Sequence, residues 1–74
     1  NASNEKLYAR AIRIVMQATK CDYDTGRAAL DRASNSAKMA ILLVETGVSI
    51  EQGKRLLEQN NGFLRRAIEQ VKSL

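Results

Sequence analysis

The groups in this chain that could do chemistry are few, and their spacing argues against catalysis. Histidine is absent from all 74 residues, which removes the commonest general base, the Ser–His and Cys–His nucleophile pairs and the usual zinc ligand. The single cysteine, Cys21, can form neither a thiolate metal site nor an internal disulfide. It follows an apolar helical stretch beside a turn, where a free cysteine acts as a small buried hydrophobe. Asp22, next to it, opposes the lowered pKa that a reactive thiol needs. The eight acids show no convergent pair free of neighbouring bases, so a two-carboxylate acid–base site is not expected. Asp22, Asp24 and Glu45 are where such a site would first be sought. No Gly-rich loop has the spacing of a phosphate cradle. The residues assign no catalytic, cofactor-binding or metal-ligating position and call for no cofactor. The chain is expected to be inactive alone.

The net charge of +4 invites a nucleic-acid reading that the charge pattern weakens. Lys6, Arg10, Arg13 and Lys20 follow helical spacing with Gln17 between them, one polar stripe on a first helix. The other bases stand near acids: Arg27 by Asp31, Lys54 by Glu58, Arg65 by Glu69. Three aromatic residues, Tyr8, Tyr23 and Phe63, are too few for a base-stacking platform. No nucleic-acid partner is expected. No apolar run approaches the roughly 18 residues of a membrane span and no signal peptide is visible, so no membrane partner is expected either. Asn1-Ala2 reads as a scar of tag removal, and residues 1–3 are set aside as scar or linker. The expectation is a cytoplasmic piece of a longer protein.

To position these side chains, the sequence offers helices only. Proline is absent and glycine occurs four times, a composition suited to a small helical domain. Asn4 is read as the N-cap of a first helix that turns Leu7, Ala11, Ile14, Val15 and Ala18 inward and fades near Lys20-Cys21. Asp22 caps a second, with Gly26, Ala29, Leu30 and Ala33 inward. Ser34-Asn35-Ser36 ends it and caps a third, holding Ala37, Ala40, Ile41 and Val44, with Gly47 as its left-handed terminator. Ser49 and Gln52 have the spacing of a capping box for a fourth, which carries Leu56 and Leu57 and ends at Asn60-Asn61-Gly62. A fifth begins near Phe63 and places Leu64, Ala67, Ile68 and Val71 on one face. The core is expected to contain Leu30, Ile41, Leu57 and Ile68.

A shift of 27 positions aligns the chain with itself. Thr19 meets Thr46, Asp22 meets Ser49, Gly26 meets Gly53 and Leu30 meets Leu57. Asp31 then meets Glu58, Ala40 meets Ala67, Ile41 meets Ile68 and Val44 meets Val71. The pairs share physical roles, which implies two helical hairpins of similar geometry with the first helix packed across them. Gly26 and Gly53 lie inside helices at a cost of about 1 kcal/mol each against alanine, so close helix approach is their expected compensation.

Asn4-Glu5-Lys6-Leu7, the tract Arg13 to Cys21, Ala37 to Leu43, Thr46-Gly47-Val48-Ser49 and Gly62 to Ile68 together resemble the C-terminal helical domain of N-acetylmuramic acid 6-phosphate etherases. The resemblance implies a parent carbon–oxygen lyase that joins a sugar-isomerase-type α/β domain to this helical end. It implies cleavage of a D-lactyl ether to N-acetylglucosamine 6-phosphate and D-lactate in cell-wall recycling, with the acid and base on the α/β domain, and a dimeric enzyme. The span from about Leu7 to Val44 also resembles the three-helix ubiquitin-associated fold. Thr19-Lys20-Cys21 stands where that fold often carries a Met-Gly-aromatic binding loop, so its binding role does not follow.

The expected architecture is all-α, a single domain over residues 4–74, with a ubiquitin-associated-like unit at 4–47 and a helical hairpin at 48–74. Its expected role is packing and assembly beside an upstream domain of the same chain and within a homodimer. The alternatives are a free-standing adaptor and a small basic nucleic-acid binder. Met39, Leu42 and Leu43 make the third helix apolar almost all round, and with Arg10 and Arg13 they form the candidate interaction surface.

Overall fold

Short-range hydrogen bonds set the helix boundaries. The Asp22 carboxylate accepts the Thr25 N–H at 2.8 Å and opens α2 (Tyr23–Arg32). Ser36 accepts from Met39 N–H at 3.2 Å to open α3 (Ala37–Thr46). Ser49 and Gln52 complete the capping box of α4 (Ile50–Gln59) through bonds of 3.1 and 3.0 Å. Phe63 precedes α5 (Leu64–Lys72) without a side-chain cap, and its ring is covered by the Arg66 guanidinium at 5.1 Å. The computed structural model describes residues 2–73, and side chains from residue 4 onward. Among the described residues there are five α-helices, α1 (Ala2–Thr19) being the longest, and no strand. The all-α expectation holds. Asn4 does not cap α1, because the backbone is already helical at Ala2 and Ser3; Asn1 lies outside the described residues.

The 27-residue relation is visible in the backbone. Lys20 and Gly47 both take left-handed φ values, 64° and 74°. Before them, Thr19 Oγ1 donates to Val15 O at 2.8 Å and accepts from Cys21 N–H, while Thr46 Oγ1 donates to Leu42 O at 2.7 Å and accepts from Val48 N–H. The later turns match as well: Ser34 and Asn61 have φ of 53° and 56°, Asn35 and Gly62 have 69° and 80°. Asn35 N–H donates to Leu30 O, as Gly62 N–H does to Leu57 O. The chain is therefore two overlapping three-helix units, α1–α2–α3 and α3–α4–α5, sharing α3. Ser34, Asn35, Asn61 and the two glycines suit a left-handed backbone through a short polar side chain or none, and Lys20 is the exception.

The core is concentrated in the first unit. Ile12, Val15, Leu30 and Leu42 are its largest fully buried side chains, each stabilising the fold by about 1.5–3 kcal/mol through lost apolar exposure. This corrects the expected face of α1. Val15 is buried and Ala11 half-buried, but Leu7, Ile14 and Ala18 are exposed and Ile12 has taken the inward place. α2 packs on that side of α1 through Gly26, where a Cβ would lie 3.3 Å from Met16 Cγ and 3.7 Å from Ile12 Cγ2.

The second unit packs more openly. Leu30 and Ile41 are in the core as expected, whereas Leu57 and Ile68 are half-buried against it. The register explains Leu57. α1 has helical turns ahead of Arg10, the equivalent of Ala37, and those turns carry Tyr8, whose hydroxyl donates to Asp31 at 2.6 Å beside Leu30. α3 begins at Ala37 and has no equivalent turns to lay over Leu57.

Candidate functional site

Two parts of the expected interaction surface separate in the structure. Met39, Leu42 and Leu43 are buried, so they form no exposed patch. α4 and α5 close over α3, because small residues let them approach. A Cβ at Gly53 would lie 2.7 Å from Met39 Sδ and 3.5 Å from Leu42 Cδ2, and Ala67 of α5 is wholly buried. The expectation that a domain of this size leaves α3 uncovered is corrected: α1, α2, α4 and α5 all pack on it.

Arg10 and Arg13 remain exposed on α1, with Lys6 beside them. At about 100° per residue, Leu7, Ile14 and Ala18 form a line along α1 between this basic stripe and the buried side. Leu7 is 60% exposed and Ile14 42%. From Ala18 the line enters a groove of about 380 Å³ that Ile41 of α3 and Leu64 and Ile68 of α5 also line. Arg65, Glu69, Glu45 and Lys72 also line it, the last two paired at 3.4 Å. The arrangement is an apolar strip beside a basic one: suited to contact with another polypeptide, without groups converging on a reacting atom.

Asp22, Tyr8 and Glu45 each have a partner in the fold. Cys21 is half-buried, with its sulfur 3.6 Å from where a Cβ on Gly26 would stand. The Asp22 carboxyl is held below its ordinary value by the hydrogen bond from Thr25, the expected effect of a donor stabilising the charged form. Tyr8 is pushed above its ordinary value, first by its hydrogen bond to Asp31 and then by desolvation and the Asp31 charge. Of the acids where catalysis would first be sought, Asp22 caps α2, Asp24 stands in the first turn of α2 and Glu45 pairs with Lys72. Among the described residues, no group of three His, Cys, Asp or Glu side chains could hold a metal ion. No helix of the described residues is long and apolar enough to cross a membrane.

Sequence reasoning missed Ile12 as a core residue and Tyr8–Asp31 as a tie between α1 and α2. The 27-residue shift pairs Ile12 with Met39 and Val15 with Leu42, but Met39 and Leu42 are themselves expected on the surface, so the pairing does not point Ile12 inward. The tie carried no signal either.

The chain is similar to parts of known proteins. It is 60% identical over 70 residues to the N-acetylmuramic acid 6-phosphate etherase of Colwellia psychrerythraea, a match covering 95% of this chain and 23% of that protein. With the etherase of Pseudoalteromonas atlantica it shares 55% identity over 73 residues, 99% of this chain and 24% of the relative. With N-acetylmuramic acid 6-phosphate etherase 2 of Vibrio cholerae the identity is 52% over 69 residues, 93% and 22%. The chain thus spans about a quarter of the length of the curated relatives it matches. No family model matches it, and no solved structure matches it.

Proposed function

We propose that this chain, similar over nearly all of its length to N-acetylmuramic acid 6-phosphate etherases, is the non-catalytic C-terminal helical segment of such an enzyme. The observation that carries the reading is 60% identity across 95% of the chain to a relative about four times as long. Under this reading the whole enzyme cleaves the D-lactyl ether of N-acetylmuramic acid 6-phosphate. The acid and base stand on a preceding sugar-isomerase-type domain, and the helical segment contributes packing within a dimeric, cytoplasmic assembly. The engagement of Asp22 in a cap and of Glu45 in an ion pair supports a structural role, since both carboxylates are tied to the fold. Residues 4–74 act as one packing unit, with 48–74 as its closing hairpin.

The test is a chimera in which this chain replaces the matching segment of the Colwellia psychrerythraea etherase. The chimera should release D-lactate from N-acetylmuramic acid 6-phosphate, and the 74-residue chain alone should release none above buffer. A folded chimera without turnover would refute the family reading, and turnover by the chain alone would refute the non-catalytic one.

A further inference from the structure

The repeat shows how each side of the helix row is finished. α1, α3 and α5 are equivalent helices. Met39, Leu42 and Leu43 on α3 correspond to Arg66, Glu69 and Gln70 on α5. The α3 set is buried, Met39 and Leu42 against Gly53 of α4, whereas the α5 set is polar and exposed. That end of the row is closed to further packing, as the terminal units of stacked helical arrays are.

The opposite side is not closed. Ile14, Ile41 and Ile68 are equivalent. On α3 the isoleucine is 9% exposed, but on α1 it is 42% exposed, with Leu7 open two turns earlier on the same side. Isolated exposed apolar residues are ordinary on any protein. Here they join, through Ala18, the groove lined by Ile41, Leu64 and Ile68, and a continuous strip of that kind marks a contact surface. Arg10 and Arg13 flank it, and neither forms an ion pair with a described residue.

We infer that this side of α1 is a docking face and that its occupant is the remaining part of an etherase-type polypeptide, presenting an apolar ridge edged by acidic side chains. The choice of occupant rests on the etherase reading. In the relatives the matched segment makes up 22–24% of the length, so roughly three quarters of the polypeptide lies outside it, ample to bury the strip at ordinary domain-interface sizes. The flanking arginines set the sign of the occupant's rim, since unlike charges across an interface favour the correct register and like charges reject it.

Thiol labelling tests this without disturbing the core. In a Cys21→Ser background, one thiol is introduced by Leu7→Cys, Ile14→Cys or Gln70→Cys, all exposed positions. Each variant is labelled with a maleimide as the 74-residue chain and within the Colwellia chimera, after circular dichroism shows wild-type helicity. Positions 7 and 14 should label rapidly in the free chain and about tenfold or more slowly in the chimera, as expected for a site closed by packing. Position 70 should label rapidly in both. Equal rates at position 14 in the two settings would overturn the docking face, whether or not the chimera releases lactate. Protection at positions 7 and 14 that grows with concentration of the free chain would overturn the occupant and assign the face to a second copy. Loss of lactate release with protection retained would count against the etherase reading alone.

Discussion

Gly26 and Gly53 occupy equivalent places, yet alanine should act in opposite directions at them. Replacing a helix-interior glycine gains about 1 kcal/mol of helix propensity. At Gly53 the new Cβ would stand 2.7 Å from Met39 Sδ, and Met39 is buried with Leu42 behind it. Relief requires moving a side chain within a filled core, which costs about 1–3 kcal/mol. The net expectation for Gly53→Ala is a loss of roughly 0–2 kcal/mol once the propensity gain is subtracted. At Gly26 the nearest atom is Met16 Cγ at 3.3 Å. Met16 is only half-buried and can yield a few tenths of an ångström toward solvent, so Gly26→Ala should be neutral or stabilising by up to about 1 kcal/mol. Urea denaturation of the two variants, read as midpoints at unchanged slope, makes the comparison. Met39→Ala supplies the control, because it removes the obstructing sulfur. In that background Gly53→Ala should raise the midpoint, a coupling between neighbours that a double-mutant cycle measures. A higher midpoint for Gly53→Ala in the wild-type background, or no coupling to Met39, would refute the close-approach account.

Leu30→Ala should cost about 2–5 kcal/mol and its equivalent Leu57→Ala distinctly less, since only Leu30 is fully buried; equal shifts in denaturation midpoint would contradict the uneven packing of the two units. Ser49→Ala should cost about 1 kcal/mol through loss of the capping box, checked by the same denaturation and by faster amide exchange in the first turn of α4. The Tyr8 phenol is raised above its ordinary value in the fold, so its hydrogen bond to Asp31 stabilises fully below the unfolded pKa. That contribution is lost as pH rises through the higher folded value. With Tyr23→Phe leaving a single tyrosine, tyrosinate absorbance should show Tyr8 titrating above a model phenol, and Asp31→Ala should return it toward the ordinary value.

Asp22, Ser36, Gly47 and the Ser49–Gln52 pair were legible in the sequence because a cap or a left-handed turn is decided within a few residues by local hydrogen bonding and backbone sterics. The 27-residue relation was legible as matched residue types, and it extends to the hydrogen bonds of the paired Thr19 and Thr46 and to the left-handed Lys20 and Gly47 after them. Asn4 failed as a cap because a cap requires the helix to begin immediately after it, and α1 had already begun at Ala2. The resemblance to the etherases rests on residue identities in order along the chain, and comparison with those proteins supports it. Of the candidate surface, Arg10 and Arg13 are exposed, while Met39, Leu42 and Leu43 are buried.

What the sequence alone could not determine was which side of each apolar helix meets which neighbour. α1 is apolar over a wide arc, so periodicity permits either Ile12 or Ile14 to face inward. The packing of α2 on α1 puts Ile12 inside and leaves Leu7 and Ile14 outside. α3 is apolar almost all round, and its coverage depends on how near α4 and α5 can come. Gly53 lets α4 lie against Met39 and Leu42, and both are buried. Both decisions arise from contact between segments far apart in sequence, where the close packing of whole helices settles what is buried.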